Sequence, residues 1–136
     1  MEKGQSYRSL LIVEDDKAAL TNLDKFFTLM GYQVKTAVDG LAALKVLRDK
    51  GNNFHLLITD LVMPNISGVA LITSVKKEFP DMKIIAVTGY GEQISDLALA
   101  AEAEAVFLKP LDLSKLENSV NNLLREYTPN TEKSFK

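Results

Sequence analysis

The sequence predicts an α/β domain: a parallel β-sheet with helices on both of its faces. Five short apolar runs alternate with five longer amphipathic ones, the pattern of repeated strand–helix units. The first, third and fourth short runs are almost continuously apolar, as buried central strands require, whereas QVKTA alternates as an edge strand does. The 136 residues, 46% hydrophobic and 25% charged, are enough for one folded domain with a core of ordinary size.

In chain order, Ser9–Val13 is the first strand, and Asp16 caps the helix that follows. That helix, Lys17–Met30, carries Leu20, Leu23, Phe27 and Met30 at helical spacing and is stopped by Gly31. Gln33–Ala37 is the second strand. Leu41–Asp49 is a helix through Leu41, Leu44 and Leu47, broken by Gly51-Asn52-Asn53. Phe54–Thr59 is the third strand, with His55 at its start as a structural or surface residue. Ser67–Phe79 offers Leu71, Ile72, Val75 and Phe79 and ends at Pro80. Ile84–Val87 is the fourth strand, and Ser95–Ala103 is an alanine-rich, thinly packed helix. Ala105–Leu108 is the fifth strand, and Asp112–Arg125 a helix with an Asp or Ser cap and Leu113, Leu116, Val120, Leu123 and Leu124 on one face. Residues 1–126 form the expected domain. Residues 127–136 are polar, contain Pro129 and lack periodicity, as a tail or linker does.

Composition removes several classes of function. A net charge of −2 provides no basic field for nucleic acid. The absence of cysteine excludes disulfides, zinc–thiolate sites and thiol nucleophiles. The apolar run after the polar start spans only Leu10 to Val13, too short for a membrane span or a signal-peptide core, so the expected location is cytoplasmic.

In open α/β sheets, ligands bind outside the carboxyl ends of the strands. There the first strand ends in Glu14-Asp15-Asp16, the third in Asp60, the fourth in Thr88-Gly89 and the fifth in Lys109-Pro110. If those strands are neighbours, carboxylates, a hydroxyl and an ammonium converge on one crevice. Two carboxylates about 4 Å apart repel by roughly 4 kcal/mol at an effective dielectric near 20. Such a cluster calls for a protonated member or a bound cation, and hard oxygens without His or Cys suit Mg²⁺. A carboxylate in that setting, beside an ammonium and a hydroxyl, is equipped to attack phosphorus and form an acyl phosphate. Asp16 reads as a helix cap more readily than as a ligand. Glu14 reads as a second acidic ligand, with a surface carboxylate as the alternative.

The segments LLIVEDD, LLITDLVMPNISG, IIAVTGYG and VFLKPL together resemble the receiver domain of response regulators in bacterial two-component signalling. They stand in that family's order over about residues 8 to 125, with Thr88 28 residues after Asp60 and Lys109 21 residues after Thr88. The resemblance implies a flavodoxin-like, doubly wound (βα)5 fold with strand order 2-1-3-4-5. It implies Asp60 as phosphoacceptor, followed by the family's Met63, Pro64 and Gly68. Glu14, Asp15, Asp60 and the Val62 backbone carbonyl would hold Mg²⁺, and the Val62 and Gly89 backbone would bind the phosphoryl group. Lys109 would contact that group, Thr88 would be the switch hydroxyl, and Pro110 would follow a cis peptide. The implied donor is a phosphohistidine on a sensor histidine kinase or histidine phosphotransfer protein. The isolated His55 argues against this chain being the kinase. A homodimer through the fourth helix, fifth strand and fifth helix is a hypothesis the residues leave open.

Two positions depart from the family pattern. Val106 stands where an aromatic switch residue is common, and strand alternation points its neighbour Phe107 to the opposite face. Val62 and Tyr90 flank the family's route for hydrolytic water; an apolar and a bulky side chain there predict slow self-dephosphorylation. The expected function is a phosphorylation-controlled switch that catalyses only its own phosphotransfer and dephosphorylation. One alternative is a pseudo-receiver that serves as a protein-binding scaffold. Another is an Mg²⁺-dependent phosphatase with an aspartyl nucleophile, although D-x-D-x-T and room for a cap domain are missing.

Overall fold

The computed structural model describes residues 8–63, 65–89 and 92–126, with the side chains of 92–95 and 126 left aside. The expectations for Pro64, Tyr90 and residues 127–136 therefore lie outside the described residues. Ten elements alternate: β1 (Ser9–Val13), α1 (Lys17–Leu29), β2 (Gln33–Ala37), α2 (Gly40–Arg48), β3 (Leu56–Asp60), α3 (Gly68–Glu78), β4 (Lys83–Thr88), α4 (Glu92–Ala100), β5 (Ala105–Leu108) and α5 (Leu113–Glu126). All neighbouring strands are parallel and the order is β2-β1-β3-β4-β5, as expected. β3 is buried throughout and β1 and β4 nearly so, while β2 at the edge is mostly exposed.

Side-chain alternation along the strands feeds two apolar layers. Leu11, Val13, Leu57, Ile84 and Ala86 face the helices α2, α3 and α4. Leu10, Ile12, Leu56, Ile58, Ile85 and Val87 face α1 and α5, meeting Leu20, Leu23, Phe27, Leu116, Val120 and Leu124. Asp16 caps α1 by accepting from the N–H of Ala18 and Ala19, so its expected role is met. Gly31, at φ 102, closes α1 with the left-handed residue that such a terminus favours. Asp39 caps α2, Ser67 caps α3, and the Asp112 carboxylate accepts from the N–H of Lys115 at the start of α5.

Several expectations change. Met30 and Leu41 are 51% and 52% exposed rather than buried. The inward face of α2 runs through Gly40, Ala43, Leu44 and Leu47, which turns Leu41 outward. β3 begins at Leu56 and includes Asp60, because Asp60 pairs with Val87 of β4. α4 starts at Glu92, three residues before the expected Ser95, in a stretch without apolar periodicity. Its thin packing is as expected: of the side chains of residues 96–100, only Ala98 is buried.

Candidate functional site

Register brings the site together. Val13 of β1 is level with Thr59 of β3, so the next residues, Glu14 and Asp60, leave the sheet side by side. Asp60 is level with Val87, one residue before Thr88, and Thr88 is level with Leu108, one residue before Lys109. The Lys109 N–H donates to the Thr88 carbonyl at 2.8 Å, which carries the β4–β5 ladder on to the lysine.

The side chains meet accordingly. Lys109 Nζ donates to Asp60 Oδ2 at 2.8 Å and to Glu14 Oε1 at 3.0 Å. Glu14 Oε2 accepts from the Asp16 N–H at 2.9 Å, and Asp60 Oδ1 from the Val62 N–H at 3.1 Å. Glu14 and Asp60 are only 3% and 6% exposed, while Asp15 is open to solvent. One oxygen from each of Glu14, Asp15 and Asp60 lies within 4.8 Å of the others. Three carboxylates against one ammonium leave two negative charges unmatched, and every donor atom is a hard oxygen. That set fits a divalent cation of the Mg²⁺ type.

The electrostatics follow from burial and neighbours. Desolvation pushes the Glu14 carboxyl above the usual carboxylate range, against the pull of the Asp16 N–H and Lys109, and the Asp60 charge adds to the rise. Burial alone would lower the Lys109 pKa, but its hydrogen bonds to Asp60 and Glu14 outweigh that and hold the ammonium above its ordinary range.

Thr88 is fully buried at the end of β4. Val106, level with Ala86, packs into the layer under α3 and α4, whereas Phe107 packs toward α1 and α5, as alternation predicts. Val62 is 41% exposed, and its N–H is engaged by Asp60. A Cβ on Gly89 would sit 3.8 Å from the Lys109 side chain, an ordinary contact distance. The Lys109–Pro110 peptide is cis, as expected.

Two residues already named from the sequence make contributions that only the structure shows. A Cβ on Gly68 would lie 2.2 Å from the Asp60 carbonyl oxygen and 2.5 Å from the Leu61 Cα, so α3 begins directly against the phosphoacceptor candidate's backbone. The signal was a glycine placed just after a capping serine, where helix propensity disfavours it. The second is the double engagement of Glu14, which only tertiary geometry reveals.

A doubly wound parallel sheet with three clustered carboxylates and a lysine at its carboxyl edge places a site suited to a cation where sheets of this class bind their ligands. Residues 10–121 match the model of the response regulator receiver domain, and the chain belongs to that family, the receiver domains of two-component systems. It is 33% identical over 119 residues to the sensor kinase CckA of Brucella abortus (strain 2308), covering 87% of this chain and 13% of that one. It is 35% identical over 131 residues to the transcriptional regulatory protein GlrR of Escherichia coli (strain K12), covering 93% and 28%. The chain thus spans less than a third of the length of these curated relatives. Among solved structures, it resembles a CheY-like response regulator receiver domain protein from Methanospirillum hungatei JF-1, with TM-score 0.84, 30% identity and coverage of 89% and 96%. It also resembles the response regulator protein TrrA from Thermotoga maritima in complex with Mg²⁺–BeF, with TM-score 0.76, 32% identity and coverage of 85% and 98%. No helix among the described residues is long and apolar enough to cross a membrane.

Proposed function

We propose that Asp60 accepts a phosphoryl group from a phosphohistidine on a sensor histidine kinase or histidine phosphotransfer protein, in an Mg²⁺-dependent reaction that switches the domain. The observation that carries this reading is the buried Asp60 carboxylate, held 2.8 Å from the Lys109 ammonium beside two further carboxylates. An Asp60 oxygen attacks phosphorus, the P–N bond breaks, its electron pair stays on the imidazole, and an acyl phosphate remains. Lys109 orients Asp60 and then neutralises charge on the transferred oxygens, while Thr88 at the end of β4 supplies the hydroxyl of the switch. Glu14, Asp15, Asp60 and the Val62 carbonyl are the residues that would hold Mg²⁺, with the Val62 and Gly89 backbone facing the phosphoryl group. The ion would supply charge neutralisation at the transferring oxygens. The Mg²⁺–BeF complex of TrrA supports a divalent cation as a ligand of this fold. Val106 provides a small, apolar switch partner in place of an aromatic ring. The domain turns over no small molecule on this reading.

Incubation with acetyl phosphate and Mg²⁺, followed by intact mass, tests it. One added phosphoryl group is expected, lost in Asp60→Asn and on chelation of the metal; addition that persists in Asp60→Asn refutes the assignment. Decay of the adduct is expected to be slow and to quicken in Val62→Asn with Tyr90→Glu. An unchanged decay removes those two positions from the account.

A further inference from the structure

We propose that the turn between β2 and α2, Asp39-Gly40, is a brace that positions the loop following Asp60; this deepens, and rests on, the reading of Asp60 as phosphoacceptor. Gly40 is the first residue of α2, and its backbone is not in the left-handed region. Conformational freedom therefore does not explain a glycine there. Space does. A Cβ on Gly40 would lie 2.8 Å from the Ile66 Cβ, 3.0 Å from the Ile66 carbonyl oxygen and 3.1 Å from its Cγ2. Asp39 completes the contact: Oδ1 caps α2 at the Ala42 N–H, and Oδ2 accepts from Asn65 Nδ2 at 3.4 Å. Asn65 itself sits at φ 72, a left-handed conformation that asparagine tolerates better than most residues.

Ile66 and Asn65 belong to the same loop as Val62, whose N–H holds Asp60 Oδ1 at 3.1 Å. The far end of that loop is fixed by the Gly68 N–H, which donates to the Leu61 carbonyl at 3.0 Å. The near face rests on the Asp39-Gly40 turn. Just before that turn, the Ala37 carbonyl accepts from the Glu14 N–H at 3.1 Å. One segment therefore touches the chain at both acidic strand ends. Asp39 and Gly40 act through the Val62 N–H and are positioning residues. If Gly40 had no such role, Gly40→Ala would leave Val62 unchanged and stabilise α2, because alanine is the better helix former.

The test uses the full chain with Gly40→Ala, Asn65→Gly, and Gly40→Ala combined with Ile66→Gly. Amide hydrogen exchange at Val62 is compared with that of amides in α1 and α5, and phosphoryl uptake from acetyl phosphate is timed. In Gly40→Ala the Val62 amide is expected to exchange about tenfold faster and uptake to slow about tenfold or more. Removing the Ile66 side chain partly restores both, and α1 and α5 stay unchanged. Asn65→Gly keeps the left-handed turn and loses the Asp39 contact, so Val62 exchange should quicken there too. This variant decides the matter if Gly40→Ala does not fold. Unchanged Val62 exchange overturns the brace. If the wild-type chain takes up no phosphoryl group, the phosphoacceptor reading fails on its own, and the exchange data still decide the brace.

Discussion

Gly68→Ala is the substitution whose outcome the geometry constrains most tightly. Helix propensity alone predicts a gain of up to about 1 kcal/mol, since Gly68 opens α3 in a helical conformation. Against it stands a Cβ 2.2 Å from the Asp60 carbonyl oxygen and 2.5 Å from the Leu61 Cα. Those neighbours are backbone, not the end of a flexible side chain. Either α3 moves outward by roughly 1 Å or the end of β3 bends, and overpacking of this kind costs about 1–3 kcal/mol or more. The net loss is expected near 2 kcal/mol, a fall in melting temperature of about 6–10 °C for a domain of this size. Gly89→Ala is the control. Its Cβ meets Lys109 at 3.8 Å without left-handed backbone, so stability should change by no more than about 0.5 kcal/mol. Urea and thermal denaturation of both variants decide the matter. A Gly68→Ala protein as stable as wild type, or more so, refutes the close approach of α3 to Asp60.

Lys109→Met removes the ammonium bound to Asp60 and Glu14, so Mg²⁺ should bind about tenfold tighter by calorimetric titration, while phosphoryl uptake slows by about 10²-fold; weaker Mg²⁺ binding contradicts the charge balance drawn for the site. Tyr32 is held at a pKa of about 12 by burial and by the Glu117 carboxylate that its hydroxyl contacts at 3.2 Å. The neutral phenol is the folded form. Its contribution is therefore complete below the unfolded value near 10 and is lost as pH rises through 12. At pH 11 wild type should lose about 1 kcal/mol more than Tyr32→Phe, after allowance for solvent screening, and equal losses in urea titrations would remove Tyr32 as the cause.

The parts of this molecule legible in the sequence are those governed by local rules. Apolar runs located all five strands, Asp16 announced its cap, and Gly31 its stop, because each acts within a few residues of itself. Boundaries moved where partners decide them. Asp60 joined β3 through its pairing with Val87, and His55 fell outside it while its N–H still donates to the Ser9 carbonyl. Leu41 fitted a helical period and yet faces solvent, since Gly40 and Ala43 take the inward positions on α2. The candidate site residues were visible because strand ends are predictable and their residue types are chemically distinctive. Gly68 was named only through the family resemblance and Gly40 not at all, since a glycine chosen for space looks the same as one chosen for flexibility until the neighbouring backbone is known. Nor could the spacing of Glu14 and Lys109, 95 residues apart, show that one ammonium serves two carboxylates.

The apolar strands and the charged edge are two consequences of one register. Pairing of Val13 with Thr59 sets Glu14 beside Asp60, and pairing of Thr88 with Leu108 brings Lys109 across from them. A slip of one residue between β1 and β3 would move Asp60 by about 3.3 Å and turn its side chain to the other face. The same slip would send Leu57 and Ile58 into each other's layers, which the packing of α1 and α3 forbids. The core thereby fixes the geometry of the site to within the tolerance of a packed interior. The carboxylates do not contribute to holding themselves there: Glu14 is buried at a cost visible in its raised pKa, and two negative charges stay unmatched. Replacing Glu14 with an apolar residue of similar size would relieve that strain and remove the charge that suits the site to a divalent cation. Glu14, at the end of an apolar strand, thus opposes folding locally, and the buried strands around it supply the stability that keeps it in place.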